Sequence, residues 1–347
     1  MEYEIEFLPV GNGDKSGDAI LVRYKDGDNH KIIVIDGGTK ESGEKLVNHI
    51  KEYYHTSFVD YVLNTHPDQD HASGLSVVLE NLEIGELWIH RPWEYTKEII
   101  GHFSDGRITE DSLRKRLQNS FSYAYPLEEI AKKKNIIIKE PFQGEKVGIF
   151  EVLSPHKDWY LYELIPESKK TPQAKGLVSE SFESIKDKVL SWIEESFETE
   201  TLSESGETSA DNESSVILYT KIDDRGILLT GDAGVRALSK AYTYKNSISN
   251  DLKFIQIPHH GSRRNVSPSV LDNILGEKGQ EENKTAFVSA SKESTKHPKQ
   301  SVLNAFIRRG CKISANQGSS LRHKKGMPKR EGWSTAENLP FKEKFQE

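Results

Sequence analysis

Short apolar runs rich in β-branched residues alternate along the chain with segments of helical periodicity. Apolar runs of this kind favour strands, whereas apolar spacings of three and four residues favour helices, so the pattern predicts an α/β protein. Each half opens with strands and continues with alternating strands and helices, which predicts two mixed β-sheets packed face to face with helices outside, a four-layer αββα sandwich. The predicted strands are 5–8, 19–22, 32–35, 61–63, 87–89, 136–138, 149–153, 215–219, 226–229, 254–257 and 286–288. The predicted helices are 41–54, 74–79, 113–121, 234–245, 267–275 and 298–309.

An insertion is expected at 157–212. Residues 194–213 contain eight acidic residues and no Lys or Arg, and Ser and Thr fill most of the remainder. Such a segment buries too little apolar area to offset the entropy of ordering it, which predicts a solvated loop. Just before it, four apolar residues are spaced like one face of a helix: Phe182, Ile185, Val189 and Ile193.

Composition narrows the class of protein. The 347 residues include 47 Lys and Arg against 54 Asp and Glu, a net charge of −7, which argues against a bulk basic nucleic-acid binder. The single cysteine, Cys311, excludes a disulfide framework and a cysteine-based zinc site. No run approaches the ~20 apolar residues of a membrane helix, and none follows Met1 as in a signal peptide. We therefore expect a cytoplasmic protein without membrane association.

Positive charge is concentrated near the C-terminus. Residues 308–330 contain eight basic residues and no Asp or Glu. Such a region can contact phosphates, and Trp333 could stack on a base, so we expect Lys324 and Lys325 to bind substrate. A solvated tail, or a stretch that pairs with the acidic residues of 194–213, explains the same charges. The predicted organisation is a hydrolase domain at 1–320 followed by a basic tail at 321–347.

Four candidate metal ligands occur within six residues. Residues 64–71 read Asn-Thr-His-Pro-Asp-Gln-Asp-His and connect the predicted strand 61–63 to a helix. The candidate ligands are His66, Asp68, Asp70 and His71. Carboxylates and imidazoles crowded into one turn repel or desolvate one another unless a cation compensates them. A polar surface turn commonly holds two or three such residues, so four at this spacing predict a metal site.

This loop resembles the His-x-Asp-x-Asp-His motif of the metallo-β-lactamase superfamily. Three strand ends are similar to the same family: 34–38 ends in Asp-Gly-Gly, 228–232 ends in Thr-Gly-Asp, and 257–262 reads Ile-Pro-His-His-Gly-Ser. Several segments also resemble the hydrolase domain of the competence DNA-uptake protein ComEC, namely 7–14, 212–218, 259–262 and 296–298. That protein's membrane channel has no counterpart in this chain, so a role in DNA uptake does not follow.

The resemblance implies a hydrolase with two divalent ions, zinc or manganese. It places His66 and Asp68 on one ion, places Asp70, His71 and His259 on the other, and makes Asp232 the bridge. Paired ions typically share a hydroxide that attacks a phosphoryl or carbonyl group, and Asp70 is also counted among the catalytic residues. Three carboxylates and three imidazoles suit manganese as well as zinc, because oxygen donors favour harder ions.

Five further residues are candidates around these ions. Asp36 either orients a ligating histidine or forms the turn before Gly37. His260 and His297 either protonate a leaving group or contact a phosphate. Alternatively, His260 exchanges places with His259 as a ligand, and His297 begins a helix. Gly261 and Ser262 offer donors to an oxyanion.

Two positions stay open. The opening contains two Gly-Asp pairs, at 13–14 and 17–18, and either one fits the family pattern. His156 follows a predicted strand and is either the family's middle metal ligand or a surface histidine.

Three functions fit these observations. The first is a metal-dependent phosphodiesterase or nuclease that acts on DNA, which the ComEC resemblance and the basic stretch favour. The second is a hydrolase of small esters, such as a cyclic nucleotide or a phosphocholine-like ester, on the same metals. The third is a regulatory protein that uses the fold to bind a partner. The fold by itself does not imply β-lactamase activity.

Overall fold

A computed structural model describes residues 1–12, 16–103, 106–168, 170–171 and 192–347. The described strands form two seven-stranded sheets and one two-stranded ribbon. The first sheet contains β1 (Tyr3–Phe7), β2 (Ala19–Asp26), β3 (Asn29–Gly37), β4 (Phe58–Leu63), β5 (Glu83–Trp88), β6 (Ile137–Lys139) and β15 (Leu321–Lys325). The second sheet contains β7 (Lys146–Val147), β8 (Phe150–Ser154), β10 (Ile217–Ile222), β11 (Arg225–Leu229), β12 (Leu252–Gln256), β13 (Lys284–Val288) and β14 (Cys311–Ala315). The ribbon contains β9 (Trp192–Glu194) and β16 (Lys344–Gln346).

Each large sheet is mixed. The strand order is β15-β1-β2-β3-β4-β5-β6 in the first sheet and β14-β13-β12-β11-β10-β8-β7 in the second. The strands from β3 to β6 are parallel to one another, and so are those from β11 to β14. Because the carboxyl ends of parallel strands lie at the same edge of a sheet, the connections after β3 and β4 are neighbours, as are those after β11 and β12.

The inner core lies between the two sheets. Phe7 of the first sheet packs edge-on against Phe254 and Phe287 of the second, with ring centroids 6.2 and 5.5 Å apart. On β2, Ile20 belongs to this inner core, whereas Leu21 belongs to the core beneath the helices. Successive side chains of a strand point to opposite faces, so each sheet contributes one face to the inner core and one to a helical layer.

Helices cover the outer faces of both sheets, and the predicted αββα sandwich is confirmed. They are α1 (Lys40–His49), α2 (Gln69–Asn81), α3 (Thr96–Ile99), α4 (Glu110–Ser120), α5 (Tyr125–Lys133), α6 (Lys157–Trp159), α7 (Ile165–Glu167), α8 (Ala210–Glu213), α9 (Val235–Tyr244), α10 (Ile248–Asp251), α11 (Pro268–Leu275) and α12 (Gln300–Arg308). None of the helices in the described part of the chain is long and apolar enough to cross a membrane.

The start of α2 is held tightly against the end of β3. A Cβ atom on Gly74 would lie 2.0 Å from the carbonyl oxygen of Gly37, so only glycine permits this approach. The amide of Gly74 donates a hydrogen bond to the carbonyl of Gly38 at 2.9 Å. This packing fixes the loop 64–71 relative to Asp36 at the end of β3.

The acidic segment 194–213 is exposed over most of 196–209, as in a solvated loop, but several of its carboxylates are anchored to the fold. The Glu195 carboxylate accepts hydrogen bonds from Arg308 at 3.0 Å and from Asn304 at 2.8 Å. Arg309 binds Glu200 at 3.0 Å. Of the two explanations left open, pairing between acidic and basic stretches is what the structure shows for these arginines. The helix predicted from Phe182, Ile185 and Val189 lies outside the described residues, and Ile193 lies in β9.

The predicted basic tail begins inside the first sheet, so its predicted boundary at residue 321 is wrong. Leu321–Lys325 is β15, which pairs antiparallel with β1. Further along, Arg330 binds Glu6 at 2.6 Å. Burial raises the pKa of Glu6, but hydrogen bonds from His49 and Arg330 outweigh it and hold this pKa at about 2. These residues therefore stabilise the sheet.

Removing the Glu195 carboxylate is expected to lower the free energy of unfolding by about 3–5 kcal/mol, because it leaves a buried guanidinium without its counter-charge. Both side chains of the Glu195–Arg308 pair are fully buried. The comparison is the midpoint of urea unfolding for Glu195→Ala and for Glu198→Ala, whose side chain is exposed. Equal midpoints for the two variants would contradict the structural role of this pair.

Candidate metal centre

The connections after four strands meet at one place between the two sheets. From the first sheet come Asp36 at the end of β3 and the loop 64–71 after β4. From the second come Asp232 after β11 and the residues 259–262 after β12. Asp68 precedes the first turn of α2, which brings Asp70 and His71 into that turn.

Asp232 lies among four imidazoles. Its carboxylate oxygens lie 3.9 Å from His66 Nε2, 3.5 Å from His71 Nε2, 3.5 Å from His259 Nε2 and 3.8 Å from His260 Nε2. These distances exceed those of good hydrogen bonds. Two donor atoms bound tetrahedrally to one ion at about 2.1 Å lie about 3.4 Å apart, so the gaps are close to those of ligands that share a cation.

Several buried polar atoms of this cluster have no hydrogen-bond partner among the described residues. They are His66 Nε2, His71 Nε2, His260 Nε2, Asp232 Oδ1 and Asp18 Oδ1. Leaving such an atom unpaired costs about 1–3 kcal/mol, so five of them together call for a bound species. Imidazole nitrogens and carboxylate oxygens are donors that zinc and manganese take. The residues present therefore fit a divalent metal ion.

One carboxylate orients two of the histidines. Asp36 accepts hydrogen bonds from His71 Nδ1 at 2.7 Å and from the Thr65 hydroxyl at 2.5 Å. Because that hydroxyl donates to Asp36, it accepts from His66 Nδ1, which lies 3.0 Å away. A ring whose Nδ1 carries the proton presents the lone pair of Nε2 to a metal. The structure thus places Asp36 where it orients both His66 and His71.

The charges of the cluster also call for a cation. Burial disfavours the charged form of His71, but the carboxylates of Asp232 and Asp36 outweigh it and raise its pKa well above the usual value. Burial likewise disfavours the Asp232 carboxylate, but His259 and His71 hold its pKa well below the usual range. Burial raises the pKa of Asp18. Without an ion, a protonated His71 balances these carboxylates.

His260 fits the ligand position better than His259. Donor atoms of His260, His71 and Asp70 lie within 4.8 Å of one another. His260 Nδ1 donates to the carbonyl of Ser289 at 3.1 Å, which directs its Nε2 towards the cluster. His259 is more exposed, and it belongs to none of the groups of converging donor atoms found among the described residues. The geometry favours the exchange of the two histidines that the sequence left open.

The opening of the chain supplies a further carboxylate. Donor atoms of Asp18, His71 and Asp232 also lie within 4.8 Å of one another. Asp18 accepts a hydrogen bond from Gln256 at 2.7 Å. Of the two Gly-Asp pairs, residues 17–18 therefore reach the cluster, whereas 13–14 lie outside the described residues.

The insertion contributes a cation that the sequence analysis missed. The Lys170 ammonium donates a hydrogen bond to Asp68 and lies 3.8 Å from Asp211. The other oxygen of Asp68 lies 3.7 Å from His66 Nε2. A single lysine in a long insertion carries no sequence signal, and its position depends on how α7 packs. Lys170 therefore supplies a cation next to Asp68, where it offsets part of the negative charge of Asp68 and Asp211.

Three other predicted residues lie beside the cluster. The ring centroid of His297 lies 6.0 Å from that of His259. Burial lowers the pKa of His297 to about 4, so its imidazole is neutral at pH 7 and offers a hydrogen bond rather than a cationic acid. The hydroxyl of Ser262 accepts from the amide of Arg264 at 3.3 Å. The amides of Gly261 and Ser262 donate within their own turn, so neither is free for an oxyanion.

Three predicted residues lie elsewhere. His156 is exposed, and its Nδ1 accepts from the amide of Asp158 at the start of α6. Lys325 binds Asp223 at 2.8 Å, in the turn that precedes β11. Asp232 follows the opposite end of β11. A strand rises about 3.3 Å per residue, so Asp232 lies roughly 20 Å from Asp223. Lys324 donates to the carbonyl of Met327. Lys324 and Lys325 therefore lie away from this centre, and their role in binding a substrate stays a prediction.

Comparison with known families agrees with this geometry. The family model described as the metallo-beta-lactamase superfamily matches residues 12–274, about three quarters of the chain. This chain belongs to the metallo-β-lactamase superfamily. The superfamily consists generally of metal-dependent hydrolases. The matched range includes each ligand candidate discussed above, from Asp18 to His260.

Solved structures of the superfamily are similar to this chain at low sequence identity. The metallo-β-lactamase fold protein YhfI from Bacillus subtilis is 7% identical, with a TM-score of 0.44 over 94% of this chain and all of that one. A diphosphatase from the PhnP family is 11% identical, with a TM-score of 0.38 over 93% of this chain and 98% of that one. The metallo-β-lactamase SMB-1 is 10% identical, with a TM-score of 0.32 over 78% and 86%. A search of curated protein sequences finds no match.

Proposed function

We propose that this superfamily member is a phosphodiesterase that hydrolyses nucleic acid, with DNA as its substrate, through two divalent ions, manganese or zinc. The observation that carries the proposal is the convergence of unpaired imidazole and carboxylate donors on Asp232. The resemblance of 7–14, 212–218, 259–262 and 296–298 to the ComEC hydrolase domain supports the substrate class. The Lys170 ammonium beside Asp68 adds positive charge where a phosphate would approach.

The residues divide into two ligand groups that share Asp232. His66 and Asp68 would hold one ion, and Asp70, His71 and His260 would hold the other, with Asp18 beside the second group. When bound, such ions supply a nucleophilic hydroxide at neutral pH and neutralise charge on the phosphoryl oxygens. Asp36 keeps the proton on Nδ1 of His71 and, through Thr65, on Nδ1 of His66.

The remaining residues act on the substrate. Lys170 donates a charge-assisted hydrogen bond to a non-bridging phosphate oxygen once Asp68 is engaged with metal. His259 and His297 lie beside each other at the cluster, and their imidazoles offer hydrogen bonds to the substrate there.

The test is hydrolysis by the purified chain with Mn²⁺ or Zn²⁺. We expect it to cleave labelled DNA and a bis-aryl phosphate, and we expect both activities to disappear in Asp70→Ala and on chelation of the metal. Single-stranded DNA, duplex DNA and RNA are compared side by side. Cleavage of the small ester alone would instead identify a hydrolase of small esters. Absence of all cleavage by metal-loaded protein would overturn the enzymatic proposal and leave a binding protein.

A further inference from the structure

A second feature of the surface lies beside the metal centre. A cleft of about 380 Å³ separates the ribbon of β9 and β16 from the segment 295–300. Its lining is rich in lysine and includes one tryptophan. The residues that matter for its chemistry are Trp192, Lys296, Lys299, Lys342, Lys344 and Glu347.

The charge of this cleft is positive. Among the described residues, four lysines line it and Glu347 is the one acidic lining residue. The Glu347 carboxylate accepts hydrogen bonds from the amide and hydroxyl of Ser301. Lys344 lies 3.5 Å from Glu194, but both side chains are largely exposed. An exposed pair of this kind is worth less than about 1 kcal/mol, so a polyanion can displace it. The cleft therefore suits a ligand with several negative charges.

Trp192 gives the cleft a flat apolar surface. Its side chain is 74% exposed, the most exposed of the large hydrophobic residues described. It is held in position by β9, where it pairs with Gln346 of β16. Exposed aromatic rings beside lysines are the arrangement by which proteins bind single strands, because each unpaired base offers a face for stacking.

The cleft shares a wall with the metal centre. Pro298 and Lys299 line the cleft, and the amide of Lys299 donates to the carbonyl of Gly261 at 3.0 Å. Gly261 directly follows His260, and His297, which precedes Pro298, has its ring centroid 6.0 Å from that of His259. A nucleic-acid strand bound in the cleft therefore lies close to the metal ligands, because Lys299 contacts the residue that follows His260.

We propose that this cleft binds the single-stranded segment of a nucleic acid whose neighbouring phosphodiester lies at the metal centre. The lysines contact the phosphates, and Trp192 stacks on a base. This inference rests on the proposed function. It also replaces the basic stretch 308–330 as the substrate surface, because Arg308, Arg309 and Arg330 of that stretch are engaged by carboxylates of the fold.

The test measures binding separately from cleavage. The metal-loaded full chain is titrated against a fluorescent, phosphorothioate-linked oligothymidylate about 20 nucleotides long, which resists hydrolysis and exceeds a typical single-strand site. We expect Trp192→Ala to raise Kd about tenfold, whereas Trp192→Phe retains most of the affinity because it keeps a ring for stacking. We expect Lys299→Ala combined with Lys342→Ala to reduce the slope of log Kd against log salt by about 1.4, since each lost single-strand phosphate contact removes about 0.7.

The matched control is Lys324→Ala combined with Lys325→Ala, which removes the same charge from β15 and is expected to leave Kd unchanged. Wild-type affinity in the cleft variants, with DNA cleavage intact, would overturn the cleft and leave the proposed function standing. Cleft-dependent binding without any cleavage would overturn the proposed function and leave the cleft standing. Equal affinity for a duplex of the same length would contradict the role of Trp192.

Discussion

Asp232→Asn is expected to lose metal and to lower the rate of phosphodiester hydrolysis by about 10³-fold. The substitution keeps the size of the side chain and removes the negative charge that faces four imidazoles within 3.9 Å. Preorganised charge at the reacting centre is commonly worth about 10²–10³ in rate, and the carboxylate of Asp232 lies near both proposed ligand groups. The measurements are metal content per chain and turnover of a bis-aryl phosphate.

The control for this substitution is Asp224→Asn. Asp224 has a left-handed backbone conformation, which asparagine tolerates, and its side chain is 93% exposed. We expect this variant to keep the wild-type metal content and rate. A fully loaded and active Asp232→Asn variant would show that the cluster is not the metal centre.

His260→Ala and His259→Ala are expected to differ sharply. His260 is buried, has an unpaired Nε2 and is oriented by the Ser289 carbonyl, so its loss should remove one ion and lower the rate more than about 100-fold. Removing a residue that merely orients a ligand costs about 10–100-fold, so removing the ligand itself costs more. His259 is more exposed and belongs to none of the groups of converging donor atoms among the described residues, so we expect His259→Ala to keep both ions.

Metal content and the visible spectrum of the Co²⁺-substituted protein distinguish the two histidines, because the spectrum reports the ligands directly. Each alanine variant serves as the control for the other, since the two residues are neighbours in one turn. Loss of metal in His259→Ala with retention in His260→Ala would restore the ligand set that the family motif implies.

Much of the fold follows from local pattern. The apolar runs at 19–22, 32–35 and 254–257 lie in buried strands, because a run of β-branched residues has few other ways to bury its surface. Five of the described strands were missed, namely β7, β9, β14, β15 and β16. β15 reads Leu-Arg-His-Lys-Lys, and its strand conformation depends on pairing with β1 rather than on its own apolar content.

The sequence by itself determined the sandwich, the candidate metal loop at 64–71 and the strand ends that carry Asp36 and Asp232. A few neighbouring residues are enough to indicate each of these features. Tertiary structure decided which members of repeated motifs converge: Asp18 joins the cluster, and His260 rather than His259 faces Asp70 and His71. The tertiary structure also decided which charged side chains pair with one another. Arg308 and Arg309 pair with carboxylates more than 100 positions away, and Lys170 reaches Asp68 across 102 positions. Contacts between such distant residues arise only when strands and helices pack, and local composition carries no signal for them.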